Sequence, residues 1–262
     1  MSELAPPLVL MLNADGVVGP ALGSMRRASE IVAFMLNTIA TTDLSKSPRP
    51  AEAQSLGLAF DDMPADYDRA KDFSDWVLER GFRDLAHGIR MSLEEAYLYV
   101  DFARNPPQNV PVVQVYERET IVRRAGNKLN FVQLLAAVNA GLRAPLSFDD
   151  EFLSLQKVRN CLEHRHGVVG PQDVDHANGM RLVLPCVKLF FKRDDEEIDI
   201  EAGQYFAEET EILYRRDMIE RFFPLSSRVI FSPTEFDNIA MACVFFASDL
   251  GQKLPQVGEP KN

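Results

Sequence analysis

Histidine and cysteine are scarce in this chain, long apolar runs are missing, and positive charge is in short supply. The three cysteines, Cys161, Cys186 and Cys243, are an odd number and widely spaced. That argues against a disulfide framework and for reduced thiols. No stretch approaches the roughly 20 apolar residues that a membrane-spanning helix needs. The N-terminal MSELAPPLVLMLNADG lacks a basic region, and Asp15 cuts short its apolar part. It reads as neither a signal peptide nor a span, so no membrane partner is expected and the compartment is read as cytoplasmic. VVGPALG, Val17 to Gly23, has glycines but not the strand-and-helix setting of a phosphate loop. It is expected to be a turn, and no cofactor is expected.

The charge deficit is uneven. Formal net charge is −11, against the broad basic face of a general nucleic-acid coat protein. Yet residues 118–166 carry eight Lys/Arg and five acids, a net of +3, so the rest of the chain stands at −14. A basic island in an acidic protein can draw anions locally.

With 46% hydrophobic residues over 262 positions, the chain can bury a substantial core. Apolar spacing predicts helices over 21–40, 66–89, 93–104, 128–143, 148–164, 204–222 and 233–250. The break between the second and third rests on Gly88 and on SLEE, Ser92 to Glu95, which has the form of a capping box. Residues 112–125 fit strand or helix equally. Ser147 is read as the N-cap of the helix from 148, and SPTE, Ser232 to Glu235, combines N-cap, Pro at N1 and Glu at N3. MRLVLPCVKLFF and EIDIEA, joined by KRDDE, read as a β-hairpin over 180–202. The expectation is one domain over 1–262, a mainly α helical bundle with a small β-hairpin insertion. Its N-terminal segment, 1–60, would hold a mobile loop at 41–55, and its tail, 252–262, would be disordered.

Two of the four histidines fall within VRNCLEHRHGVVG, Val158 to Gly170, inside the basic island. On a helix with Arg159 at 0°, Glu163 falls at roughly 40°, Asn160 at roughly 100° and His164 at roughly 140°. Leu155, Val158 and Leu162 point the other way, into a core. Phe152 and Leu153 share the polar side two turns upstream, which implies that another segment or another subunit covers that face.

The chemistry of these residue types suits RNA cleavage by the RNA's own 2′-hydroxyl. His164 can exchange protons near neutral pH. Arg159 stays charged and can hold two phosphate oxygens through its fork. Asn160 can orient the phosphate or His164. Glu163 can steady Arg159 or raise the pKa of His164. Lys157, Arg165 and His166 are candidate substrate contacts, with His166 also a local substitute for a second proton-transfer group.

Arg159-Asn160-x-x-x-His164, an R-x4-H pattern near a helix end in an all-α setting, resembles the signature of the HEPN superfamily, helical domains of prokaryotic toxins and defence nucleases. The resemblance is specific over about 148–170. It implies a metal-independent endoribonuclease, an Arg–His active-site pair and a homodimer in which two motifs meet. Other members are catalytically silent modules that bind protein or nucleotide, so an antitoxin or other protein partner is the alternative to RNA. Two plainer readings stand beside it. Arg159 can simply pair with Glu163 while His164 caps the last helical carbonyls. Cys161, His164, His166 and His176 offer zinc-binding types, but at a spacing of no common zinc module, so no metal is expected.

Overall fold

A computed structural model describes residues 12–44, 67–175, 178–193, 196–200, 204–206 and 208–258. Among them the chain forms six α-helices and a small sheet: α1 Ala14–Thr41, α2 Arg69–Arg104, α3 Val112–Lys128, α4 Phe131–Asn139, α5 Asp149–His164, β1 Gly179–Arg193, β2 Glu196–Asp199, β3 Leu213–Pro224 and α6 Pro233–Lys253. The fold is mainly α with a three-stranded antiparallel sheet, as expected in class. One cluster of buried residues runs through α1, α2, α4, α5, α6 and the inner face of the sheet. No described helix is long and apolar enough to cross a membrane.

The helical frame is built on the antiparallel contact of α1 with α2. Ser24 meets Gly88, where a Cβ would lie 2.6 Å from Ser24 Cβ and 2.9 Å from the Pro20 carbonyl oxygen. Gly81 is equally crowded, between Val32 and the ring of Phe236 on α6. The buried Ser92 hydroxyl accepts from Ala21 N–H at 3.0 Å. At the rim, Arg27 pairs with Asp84 at 2.7 Å.

This crossing corrects two expectations. Residues 66–89 and 93–104 are not two helices with a bend. They form the single helix α2, of 36 residues. A capping box forms only where a helix begins. Here Ser92 serves α1 instead, and Glu95 accepts from Arg123 of α3 at 2.6 Å. Gly88 marks a close approach, not a break. Nor is VVGPALG a turn: α1 starts at Ala14, capped by Asn13, and runs through Gly19, Pro20 and Gly23. Val17 and Ala21 bury themselves in the core, which holds the segment helical despite its proline.

Residues 112–128 prove helical, clamped to α2 by Arg118–Asp101 at 2.6 Å and Arg123–Glu95 at 2.6 Å. Ser147 is not the N-cap of α5, a position held by Phe148 with no side-chain bond. Its N–H and O–H go to Asp249 of α6, at 2.7 and 2.9 Å. SPTE does cap α6 reciprocally, through Ser232 and Glu235.

The hairpin of β1 and β2 forms as read, with Phe190 opposite Asp199 and Arg193 opposite Glu196. The described residues of 204–222 do not form a helix. Leu213–Pro224 is a strand, β3, paired with β1 from Gly179↔Pro224 to Phe190↔Leu213. Its apolar spacing fits either period, and the decision falls to a tertiary partner: Ile219 and Phe223 turn inward beside Leu184 and Met180. Of the tail expected to be disordered, residues 252–258 are ordered, and 259–262 lie outside the described residues. Lys253 closes α6, Leu254 is buried, and Gly258 N–H donates to the Ala103 carbonyl at 2.9 Å. The expected mobile loop lies mostly outside the described residues, although Thr41 closes α1.

Gly88→Ala is expected to destabilise the fold by about 1–3 kcal/mol through overpacking against Ser24 and the Pro20 carbonyl. Gly23→Ala, where a Cβ meets nothing within 4 Å, is expected to gain a few tenths to about 1 kcal/mol from helix propensity. Urea denaturation of both variants reads this difference, and equal responses would contradict the packing described.

Candidate functional site

The polar residues of interest ride on the last turns of α5. Its first turn holds Asp149, Asp150 and Glu151, which suit the positive end of the helix dipole. Phe152, Leu155, Val158, Cys161 and Leu162 form the buried stripe. Phe152 packs edge-on to Phe246 of α6, ring centroids 5.0 Å apart. Phe152 is thus buried within its own chain, against α6, and Leu153 packs against the same core.

Arg159, Asn160 and Glu163 come together half-buried. Arg159 Nη2 lies 2.5 Å from Glu163 Oε2. Arg159 Nη1 donates to Asn160 Oδ1 at 3.4 Å, and Gln156 Nε2 donates to the same oxygen at 2.9 Å. Of the two roles open to Glu163, the geometry gives it the steadying of Arg159. His164 stands apart from this trio. It is exposed and makes no hydrogen bond or ion pair with any described residue.

The plainer reading is met by half. Arg159 does pair with Glu163, but His164 does not cap the helix. Arg83 of α2 does so, donating from Nη2 to the Leu162 carbonyl at 2.6 Å while also pairing with Glu79. After Arg165 the chain turns through the left-handed region at His166, φ 52°, and Gly167, φ 75°. Backbone bonds between Gly167–Val169 and Ser226–Val229 tie this turn to the segment that follows β3.

The three candidate substrate contacts scatter. Arg165 is taken up by Asp173 through two hydrogen bonds, one from Nε at 2.7 Å. Asp173 is buried and also accepts from Gly170 N–H at 2.9 Å. Arg165 is thus a structural clip that folds the motif's exit back on itself. Lys157 reaches Asp175 at 3.4 Å and lines a groove of about 290 Å³ with Asp150, Glu151, Leu153 and Arg181. His166 is exposed on the turn.

Zinc does not fit these residues. Cys161 is fully buried, and burial, followed by the charge of Asp173, pushes its thiol up to about 11. His164 and His166 face solvent, and His176 lies outside the described residues. No group of three metal-binding side chains forms among the described residues. Sequence reading missed Arg83 and Asp173, which together hold the motif's end. Only Asp173 left a local trace, in the turn-forming Gly170-Pro171-Gln172-Asp173.

No protein-family model, curated protein or solved structure matches this chain.

Arg165→Lys keeps the charge but loses the paired geometry, and is expected to cost about 1–3 kcal/mol of stability. Asp173→Ala strands the half-buried guanidinium and is expected to cost about 3–5 kcal/mol. Chemical denaturation reads both. Unchanged stability would return Arg165 to the pool of free substrate-binding cations.

Proposed function

We propose that this chain is a metal-independent endoribonuclease of HEPN type, cytoplasmic and acting as a homodimer on RNA. The observation that carries the proposal is the division of labour at the end of α5. A guanidinium is held in place by Glu163 and Asn160, and one turn further on lies an imidazole with no competing partner among the described residues.

Arginine has five N–H donors, of which Glu163 and Asn160 engage two here. The remainder can reach the oxygens of a phosphate and stabilise the charge that builds as the 2′-oxygen attacks phosphorus. As that bond forms, the 2′-hydroxyl proton must leave. As the P–O5′ bond breaks, the 5′-oxygen must gain one. His164, open to solvent, serves one of these transfers. A second histidine, from the partner copy or from His166, serves the other. Cleavage leaves a 2′,3′-cyclic phosphate and a 5′-hydroxyl.

One specific feature favours a second reading. The Arg159–Glu163 pair cancels the motif's charge in a chain of net −11, which suits a silent module that binds a protein such as an antitoxin.

Incubation of mixed RNA with excess EDTA separates the two. The nuclease reading expects EDTA-resistant cutting, reduced about a hundredfold or more in His164→Ala. A folded wild type that cuts nothing, or a His164→Ala variant that cuts equally well, would leave the binding module.

A further inference from the structure

The sheet has one long open edge. β3 pairs with β1 on one side, and no described strand pairs with the other. Which residues present backbone groups to that edge follows from a single serine. Val183 N–H donates to Ser154 Oγ at 3.0 Å, and the Val183 carbonyl oxygen lies 3.1 Å from that hydroxyl, whose single proton it shares with the nearer Glu151 carbonyl at 2.7 Å. Both backbone groups of Val183 therefore point away from β3. In an antiparallel ladder such a residue sits in a non-hydrogen-bonded pair, so its partner Glu220 also turns its N–H and C=O away from β1. By alternation Tyr214, Arg216, Met218 and Phe222 do the same. Two facts agree. Pro185, opposite Met218, needs no N–H on that side. Met218 N–H is met at 2.8 Å by the carboxylate of its neighbour Asp217, a local stand-in for a strand.

The side chains of these same residues form a pattern that reads alike in both directions once charge is inverted. Along the strand run an aromatic, a cation, a methionine, an anion and an aromatic: Tyr214, Arg216, Met218, Glu220 and Phe222. All five are exposed, Tyr214 at 74%, Phe222 at 39% and Met218 at 38%. A second copy laid antiparallel with its two-fold axis through Met218 would set Arg216 opposite Glu220 twice, Tyr214 opposite Phe222 twice and Met218 opposite itself. Moving the axis two residues either way instead sets Arg216 against Arg216 or Glu220 against Glu220. The inward-facing cations of the strand are already neutralised, Arg215 by Glu197 and Asp199 and Arg221 by Glu235. Arg216 stacks over Phe245, 5.3 Å from the ring centre, and this leaves its guanidinium edge open to a carboxylate.

We infer that β3 is a homodimerisation edge, joining two copies into one continuous six-stranded sheet in the register centred on Met218. The occupant is a second copy of this chain, because the two outward-facing charges of the strand, Arg216 and Glu220, complement their own two-fold image, Glu220 sharing its 3.5 Å pairing to Arg181 with the incoming Arg216. This contact is distinct from one that would join two R-x4-H motifs. The turn after His164 is tied to Ser226–Val229, beyond the end of β3 and roughly 20 Å along the strand from the Met218 axis.

A charge-swap series read by sedimentation equilibrium tests the inference without reference to RNA cleavage. Wild type is expected to dimerise. Arg216→Glu and Glu220→Arg each create two like-charge pairs, and each is expected to raise the dimer dissociation constant about fivefold or more. The double variant R216E/E220R is expected to restore wild-type association. Circular dichroism confirms that each variant is folded. A monomeric wild type, a dimer indifferent to both single changes, or a double variant no better than the singles would each overturn it. A dimer weakened by Arg159→Glu but not by the β3 changes would overturn it too, and would place the contact at the motif.

Discussion

The molecule depends on how closely α1 and α2 approach. Gly81, Gly88 and Ser92 on one helix, with Ala21, Ser24 and Val32 on the other, bring two backbones near enough that one hydroxyl bonds across the gap. That approach costs side-chain volume, and Gly in a helix costs about 1 kcal/mol relative to Ala. In return α2 runs unbroken for 36 residues and becomes the rod on which the other helices are mounted. α3 hangs from its C-terminal half through Arg118 and Arg123, and α5 is gripped near its end by Arg83.

The motif inherits its geometry from this mounting. Its cation is steadied within α5 itself, but the end of α5 is defined from outside. Arg83 takes the Leu162 carbonyl, the Arg165–Asp173 pair folds the exit, and Gly167 allows the backbone to turn beside Leu162. Among the described residues, the side chains of His164 and of His166 on the following turn are left uncommitted. A shortage of partners around an imidazole beside a well-held cation is what a proton-transfer group needs and what an idle surface histidine also shows.

What could be read from the chain follows the range of each interaction. SPTE was legible because a capping box closes within four residues, and so was the placing of Arg159 to His164 at a helix end. SLEE has the same form and misled, because Ser92 answers to Ala21 on another helix. Leu213–Pro224 misled for a related reason: its apolar residues satisfy a helical spacing until β1 arrives to select the alternate ones. Phe152 suggested a partner without naming it, and Phe246 of α6, far along the chain, is the ring it meets. Arg83 and Asp173 act on the motif through partners that no local pattern links to them.

The bond between Ser154 and Val183 carries a mechanical consequence for the motif helix. A hydroxyl that accepts the N–H of one strand residue can slide along the strand only by exchanging that residue for the next of the same orientation. Toward the hairpin that residue is Pro185, which has no N–H to give. This opposes a ratchet of α5 toward the hairpin, and a one-residue shift would forfeit the bond from Val183 N–H. Any rearrangement of the Arg159–Glu163 pair is accordingly left to rotation of the two side chains.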